Sequence, residues 1–328
     1  MTPIIIFAGL LGGIFWNLLT WRLGLPSSSS HALIGGVVGA VLVAAGPDAV
    51  LGEGLLPDVL VAAVVAPVLA GAVGFAATFL VYRATRRSRP GPVRRRFRAG
   101  QVASASLVAL SHGTNDAQKT MGVIVLALVA NGSLPAQDPG VPAWVVVAAA
   151  SAIALGTYFG GWRIIRTLGS RVTEIQTPQG FSAETSAATV ILAASNAGFP
   201  LSTTHVTSGS VLGSGLGRRA ANVRWGVAGQ MATAWVLTLP AAAAMAAVLY
   251  LLTEVFGAGA TSAVTVGALA ARAAGALYAH TQRGAGRVTA GDVRCSRASS
   301  TPGRCCGSWA SPSAPRSSWS PASPPARC

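Results

Sequence analysis

Residues 26–31 read Pro-Ser-Ser-Ser-Ser-His, and residues 200–205 read Pro-Leu-Ser-Thr-Thr-His. The two stretches align without a gap, and the alignment continues into the residues that follow them. Two glycine pairs keep the same register: Gly35 with Gly209, and Gly39 with Gly213. Apolar segments share composition by chance, but a proline, a hydroxyl run, a histidine and two glycines in one register indicate an internal duplication.

Each copy predicts a break between two helices. The proline ends the preceding helix, and the hydroxyl residues open the next one as N-cap and first turn. Free N–H groups and the positive end of the helix dipole then favour an anion beyond the helix start. We expect a tetrahedral oxyanion between the two helix starts, with the Ser and Thr hydroxyls as neutral donors. The alternative is that the hydroxyls only cap the helices, and that His31 and His205 hydrogen-bond within the hairpins.

The composition is that of a membrane protein. Hydrophobic residues make up 52% of the 328 residues, charged residues only 10%, and the mean hydropathy is +0.55. A soluble domain carries about 25% charged residues. The net charge of +15 comes from arginines that cluster between apolar segments, which is typical of cytoplasmic loops rather than of a nucleic-acid surface. All four cysteines lie in 295–328, so the body of the chain holds no predicted disulfide, metal site or cofactor.

Apolar segments and loop charges together predict an all-α, polytopic inverted-repeat transporter with two re-entrant Ser/Thr hairpins of opposite orientation. The Arg-rich loop 83–98 is expected on the cytoplasmic side, and the acidic linkers 47–58 and 131–142 outside. The first-repeat remnant, 1–82, holds hairpin 3–46 and membrane helix 59–82. The second repeat, 99–280, holds a broken helix at 99–130, a membrane helix at 143–162, hairpin 181–216, and membrane helices at 226–252 and 255–280; a disordered or frameshifted tail follows at 281–328.

A second polar motif, Ser-His-Gly-Thr-Asn-Asp-Ala-Gln-Lys-Thr-Met-Gly, lies at 111–122 inside an apolar stretch. Charges at membrane depth cost about 2.5–3.5 kcal/mol each, so Asp116 and Lys119 are functional candidates. Their i, i+3 spacing also permits a purely structural ion pair. Oxygen-bearing side chains suit a hard cation. The predicted cation ligands are Asp116, Asn115 and Gln118, and Lys119, His31, His205, Glu184 and Asn196 are accessory candidates.

Residues 24–36, 111–122 and 200–206 resemble the bacterial inorganic phosphate transporters, the Pit or PHO4-like family. The resemblance implies two inverted halves that carry phosphate, often as a metal-phosphate complex, together with protons or sodium. Asn115 and Asp116 would then hold cation and phosphate. The implied phosphate ligands are Ser28, Ser29, Ser30, Ser202, Thr203, Thr204, Thr114 and Asn115. The implied function is cation-coupled phosphate symport across the cell membrane, and a homodimer is left open.

The chain departs from the family pattern at both ends. The family's first Asn/Asp-bearing helix would precede Pro26, but the 25 residues before it contain no Asp, so we expect one half-site to be missing. The tail from about Gly284 resembles an out-of-frame reading or a disordered segment. Three other functions remain open: transport of another oxyanion such as sulfate, an inactive transporter fragment, and an intramembrane Ser/His enzyme, which would need a nucleophile elbow or a paired Ser and His.

The inverted repeat predicts opposite sidedness for the ends of the two hairpins. Single cysteines at Gly46 and at Arg218, introduced after the four natural cysteines are replaced by serine, should react with an impermeant thiol reagent from outside and from inside respectively. Labelling of both positions from the same side of sealed vesicles would contradict the inverted orientation.

Overall fold

A computed structural model of the protein describes residues 2–50, 55–159, 161–199, 201–218, 223–257 and 260–283. These residues form helices and short connections, and no strand occurs among them, which confirms the all-α prediction. The predicted tail lies outside the described residues from Gly284 onward. Pro200 of the second hydroxyl motif also lies outside them.

The helices follow one another with short links. In chain order they are α1 Pro3–Leu23, α2 Ser29–Ala45, α3 Leu55–Thr85, α4 Pro90–Ala130, α5 Ala143–Phe159, α6 Trp162–Arg166, α7 Thr177–Asn196, α8 Thr203–Gly217, α9 Trp225–Val255 and α10 Ala260–Arg283. A 3₁₀ turn at Pro47–Ala49 follows α2, and a π-helical turn at Thr167–Arg171 follows α6.

Several of these helices are long and apolar enough to cross a membrane. Within the described residues there are four such spans, Pro3–Leu23, Asp58–Thr85, Trp225–Val255 and Thr261–Thr281, and a fifth if the pair Ala143–Tyr158 and Trp162–Arg171 is taken as one span bent by 60°. The chain is therefore a multi-pass membrane protein, as predicted. The re-entrant path of the two hairpins stays a prediction.

The two hairpins, α1–α2 and α7–α8, end in nearly identical tips. Ser28 caps α2 with φ −88° and ψ 111°, and Ser202 caps α8 with φ −92° and ψ 116°. Each cap hydroxyl accepts a hydrogen bond from the backbone N–H of the histidine three residues on. Gly24 and Gly198, at equivalent positions, both take a positive φ, of 69° and 75°, which glycine adopts without steric cost. The capped helix starts predicted from the repeat are confirmed.

The predicted broken helix at 99–130 is wrong. Helix α4 runs without interruption through its 41 residues, and it includes residues 90–98 of the predicted Arg-rich loop. Pro90 stands at the start, where proline is favoured, and arginine is a good helix former. A helix of this length is about 60 Å long, whereas the hydrocarbon core is about 30 Å thick. The Arg-rich turns can therefore extend beyond the membrane without leaving the helix.

The predicted membrane helix 143–162 also ends earlier than expected. Helix α5 stops at Phe159, and Gly161 adopts φ 100° before α6 begins. A residue in this left-handed region ends an α-helix. The chain therefore bends there, and the direction of the helical path changes between α5 and α6.

Glycines set how closely each hairpin approaches a long helix of the other half. A Cβ on Gly35 or Gly39 of α2 would strike backbone of α9, at Leu239 and Ala243. The equivalent glycines of α8, Gly209 and Gly213, face the backbone of α3 at Pro67 and Gly71. The first hairpin therefore packs on the second half of the chain, and the second hairpin on the first half. Small residues permit this close approach in membrane helices.

Gly213→Ala should destabilise the protein by about 1–3 kcal/mol, because overpacking forces the backbones apart. Gly229→Ala on α9 is the matched control: it lies in a helix with no atom within 4 Å of an added Cβ, so alanine should be neutral or stabilising. Thermal unfolding of both purified variants in detergent measures the difference. Equal melting temperatures would contradict the close contact of α8 with α3.

Candidate functional site

Helix α4 brings Asp116 and Lys119 to the place where the two hairpin tips meet. The carboxylate of Asp116 lies 3.7 Å from the Lys119 ammonium and 3.0 Å from Nε2 of His112. Its two oxygens lie 3.3 and 3.4 Å from the hydroxyl of Thr203, the first residue of α8. The predicted cation-coupling carboxylate therefore contacts the hydroxyl run of the second hairpin.

Lys119 links the two tips. Its ammonium donates to the Ser30 hydroxyl of the first hairpin at 2.8 Å, and to the Leu201 carbonyl of the second hairpin at 2.6 Å. One side chain on α4 thus contacts both hydroxyl motifs at once. This adjacency is the arrangement expected of two helix starts that share one anion.

A cavity of about 190 Å³ opens beside this pair. Its walls come from the first hairpin and from α4, and they combine apolar and polar groups: Leu10, Gly13, Ile14, Asn17, Ser29, Ser30, Leu33, Asp116, Lys119 and Thr120. The first N–H groups of a helix have no partner within that helix, so the start of α2 adds donors next to the hydroxyls. The cavity is the candidate anion site.

The contacts of His112 argue against a catalytic triad. Its Nε2 lies 3.2 Å from the Thr203 hydroxyl and 3.0 Å from the Asp116 carboxylate. A triad needs the two ring nitrogens on different partners, one taking the hydroxyl proton while the other is oriented by the acid. Here both partners share one nitrogen, so the ring cannot relay a proton between them.

The histidines of the two motifs meet ring to ring. The His31 and His205 centroids are 4.7 Å apart with an interplanar angle of 77°, and both rings are buried. The ring of His205 also packs against Trp235 at 4.3 Å, and the Trp235 indole donates to the Pro26 carbonyl. These two accessory candidates therefore hold the tips together across the repeat, rather than only within one hairpin.

Two further polar clusters join α4 to α7. The side-chain amide of Asn115 donates to the Ser195 hydroxyl at 2.7 Å. The oxygen Oδ1 of the same amide is buried with no hydrogen-bond partner among the described residues. Glu184 accepts a 2.6 Å hydrogen bond from Ser104 and a 3.4 Å one from Gln101. Asn115 thus keeps a buried oxygen available, while the Glu184 carboxylate is engaged between two helices.

A model of the phosphate transporter family matches residues 1–96 and 83–246 of the chain. The chain belongs to the phosphate transporter family. The resemblance inferred from the three motifs is thereby confirmed, and the family is one of transporters rather than of enzymes.

Relatives in the family have names that agree with this assignment. The chain is 54% identical over 279 residues to a probable low-affinity inorganic phosphate transporter of Mycobacterium leprae, covering 85% of this chain and 67% of the relative. A Mycobacterium tuberculosis protein of the same name is 56% identical over 253 residues, covering 77% and 61%. One from Rhizobium meliloti is 47% identical over 250 residues, covering 76% and 74%. The chain thus spans about 61 to 67% of the length of the two mycobacterial relatives.

A solved structure of a protein named as a sodium-dependent phosphate transporter shares the fold. It superposes with a TM-score of 0.67 over 78% of this chain and 81% of its own, at 24% sequence identity. Together with the repeated hairpin tips, this likeness supports the inverted-repeat architecture.

The structure does not place every predicted phosphate- or cation-binding residue at the site. Thr114 and Gln118 lie on an exposed face of α4, and the Thr114 hydroxyl donates to Leu110 of its own helix. Asn196 is exposed and donates to Leu192. The spacing of residues along α4 explains this, because positions two apart from Asp116 point to another side of a helix. Thr204 is half-buried and the cap hydroxyls of Ser28 and Ser202 are engaged.

Sequence reasoning missed several residues that contact the candidate residues. His112 is four residues before Asp116, so the helical spacing could have paired them. Ser104, Gln101 and Trp235 carried no such signal, because they reach their partners only through contacts between distant helices. The Leu201 carbonyl could not be read from a side-chain motif at all.

Proposed function

We propose that the protein binds inorganic phosphate in the cavity beside Asp116 and Lys119 and transports it across the cell membrane together with a coupling cation. The observation that carries the proposal is that the Lys119 ammonium contacts both hydroxyl motifs. It lies 2.8 Å from the Ser30 hydroxyl and 2.6 Å from the Leu201 carbonyl oxygen. A phosphate dianion leaves water only where its charge is offset. Lys119 supplies a full positive charge, and the start of α2, whose Ser29 and Ser30 line the cavity, adds about half a charge.

Asp116 has the second role, that of coupling. A carboxylate next to an anion site is unfavourable unless a proton or metal cation lies with it, so its position ties phosphate to a cation. The side-chain oxygen of Asn115, the next residue on α4, is buried with no partner among the described residues and is the second proposed cation ligand. We propose a proton or sodium as this ion, and phosphate either free or as a metal complex as the carried species. The Arg-rich segment 83–98 faces the cytoplasm in this proposal.

The two half-sites differ in one respect. Thr203 is buried and contacts Asp116, whereas Ser29, at the equivalent position of the first hairpin, is exposed. Helix α4 packs along α7 but has few contacts with α1. Helix α4 therefore covers the start of α8 and leaves Ser29 at the start of α2 exposed.

Lys119→Met should weaken phosphate binding by about 2 kcal/mol or more, roughly 30-fold, because the cavity wall loses its full positive charge. Binding to the purified chain is measured by calorimetry in sodium-free choline buffer, with sulfate as competitor. Arg272→Met, which removes an exposed charge from α10, is the matched control and should bind as the parent does. Equal affinity of the Lys119 variant would refute this site, and tighter binding of sulfate than of phosphate would favour the other oxyanion.

Asp116→Asn should abolish phosphate uptake into membrane vesicles while leaving phosphate affinity within a few-fold, because it removes the coupling carboxylate but not the ammonium. Asp138→Asn, in the exposed turn before α5, is the control with the same chemical change. Uptake at parental rates in the Asp116 variant would disprove the coupling role. A parent chain that binds phosphate but takes none up would favour the transporter-fragment alternative.

A further inference from the structure

The ammonium of Lys119 lies in a cage of three oxygens of different chemical types. They are the Ser30 hydroxyl at 2.8 Å, the Leu201 carbonyl at 2.6 Å and a carboxylate oxygen of Asp116 at 3.7 Å. Carbonyl, hydroxyl and carboxylate oxygens are the ligands that hard metal cations prefer. Each comes from a different part of the fold: α2, the link between α7 and α8, and α4.

The contacts of this ammonium are not those of an ordinary ion pair. The nitrogen is closer to the neutral carbonyl and hydroxyl than to the carboxylate. Only 21% of the Lys119 side chain and 20% of the Asp116 side chain are exposed, so water replaces few of these contacts. An ammonium has three N–H donors, and here three oxygens surround it. The position is therefore filled, and a metal ion cannot occupy it at the same time.

We propose that Lys119 is a tethered cation that fills a sodium-type site between the two hairpin tips. This inference rests on the proposed phosphate site and adds to it the identity of the counter-charge. The chain carries this charge as its only lysine, so the coupling ion of the proposed function does not occupy the cage. Phosphate binding to this chain therefore does not need sodium, whereas the structural neighbour is named as sodium-dependent.

Removing the ammonium should turn the cage into a metal site. Lys119→Met keeps the length of the side chain but leaves the three oxygens without a cation. Sodium chloride should then raise the melting temperature of the purified chain by about 3 °C over choline chloride at equal ionic strength. Sodium should also raise the phosphate affinity of this variant at least tenfold above its value in choline buffer.

Two further variants separate the cage from other effects of sodium. Lys119→Arg keeps a positive charge at the position, so its melting temperature should not respond to sodium specifically. In the double variant Asp116→Asn, Lys119→Met the carboxylate ligand is gone, and the sodium response of the single variant should fall by at least half. The parent chain should show no sodium-specific shift.

A sodium-specific shift in the parent as large as that of Lys119→Met would overturn the proposal. So would a folded Lys119→Met chain, with parental helix content, that does not respond to sodium. If that variant does not fold, binding of radioactive sodium to the parent chain tests the proposal instead. Sodium binding that is lost in Asp116→Asn would contradict a filled cage. The absence of such binding would support a filled cage. The melting temperatures with and without sodium are measured in the absence of phosphate. These measurements therefore test the cage even if the proposed phosphate site is wrong.

Discussion

A charged pair in an apolar helical body is the constraint on which the rest of this structure depends. Asp116 and Lys119 lie mostly out of water, where unpaired charges are costly. Their contacts with each other, with Thr203 and with the backbone at Leu201 offset that cost. Because Thr203 and Leu201 lie at the tip of the second hairpin and Ser30 lies at the tip of the first, both tips must lie beside α4. Asp116 and Lys119 themselves line the cavity, together with Ser30, which accepts from the ammonium.

Close helix packing holds the hairpins in that position. Glycines at equivalent places on α2 and α8 allow α9 and α3 to approach to backbone contact. Each hairpin therefore depends on a long helix from the other half of the chain for its place. The rings of His31 and His205 meet where the two tips adjoin. The result is one polar centre that both halves share, rather than two separate sites.

The centre is not symmetric, although the two tips are. Ser28 and Ser202 cap their helices with the same backbone geometry and the same hydrogen bond. Thr203 nevertheless lies under Asp116, while Ser29 remains exposed. The difference comes from α4, which packs along the second hairpin. An inverted repeat binds its ligand between halves, and here the two halves contribute unequally to the centre.

The sequence by itself determined the local features. The aligned Pro-to-His elements predicted the capped helix starts, and the polar motif at 111–122 made Asp116 and Lys119 functional candidates, because caps and charges at membrane depth depend on residue type and spacing. Only the tertiary structure decided which partners these groups meet. The continuity of α4, the contact of Lys119 with both tips and the pairing of Glu184 with Ser104 join residues far apart in the chain. Such contacts follow from how glycine faces and long helices pack, which periodicity along one segment does not encode.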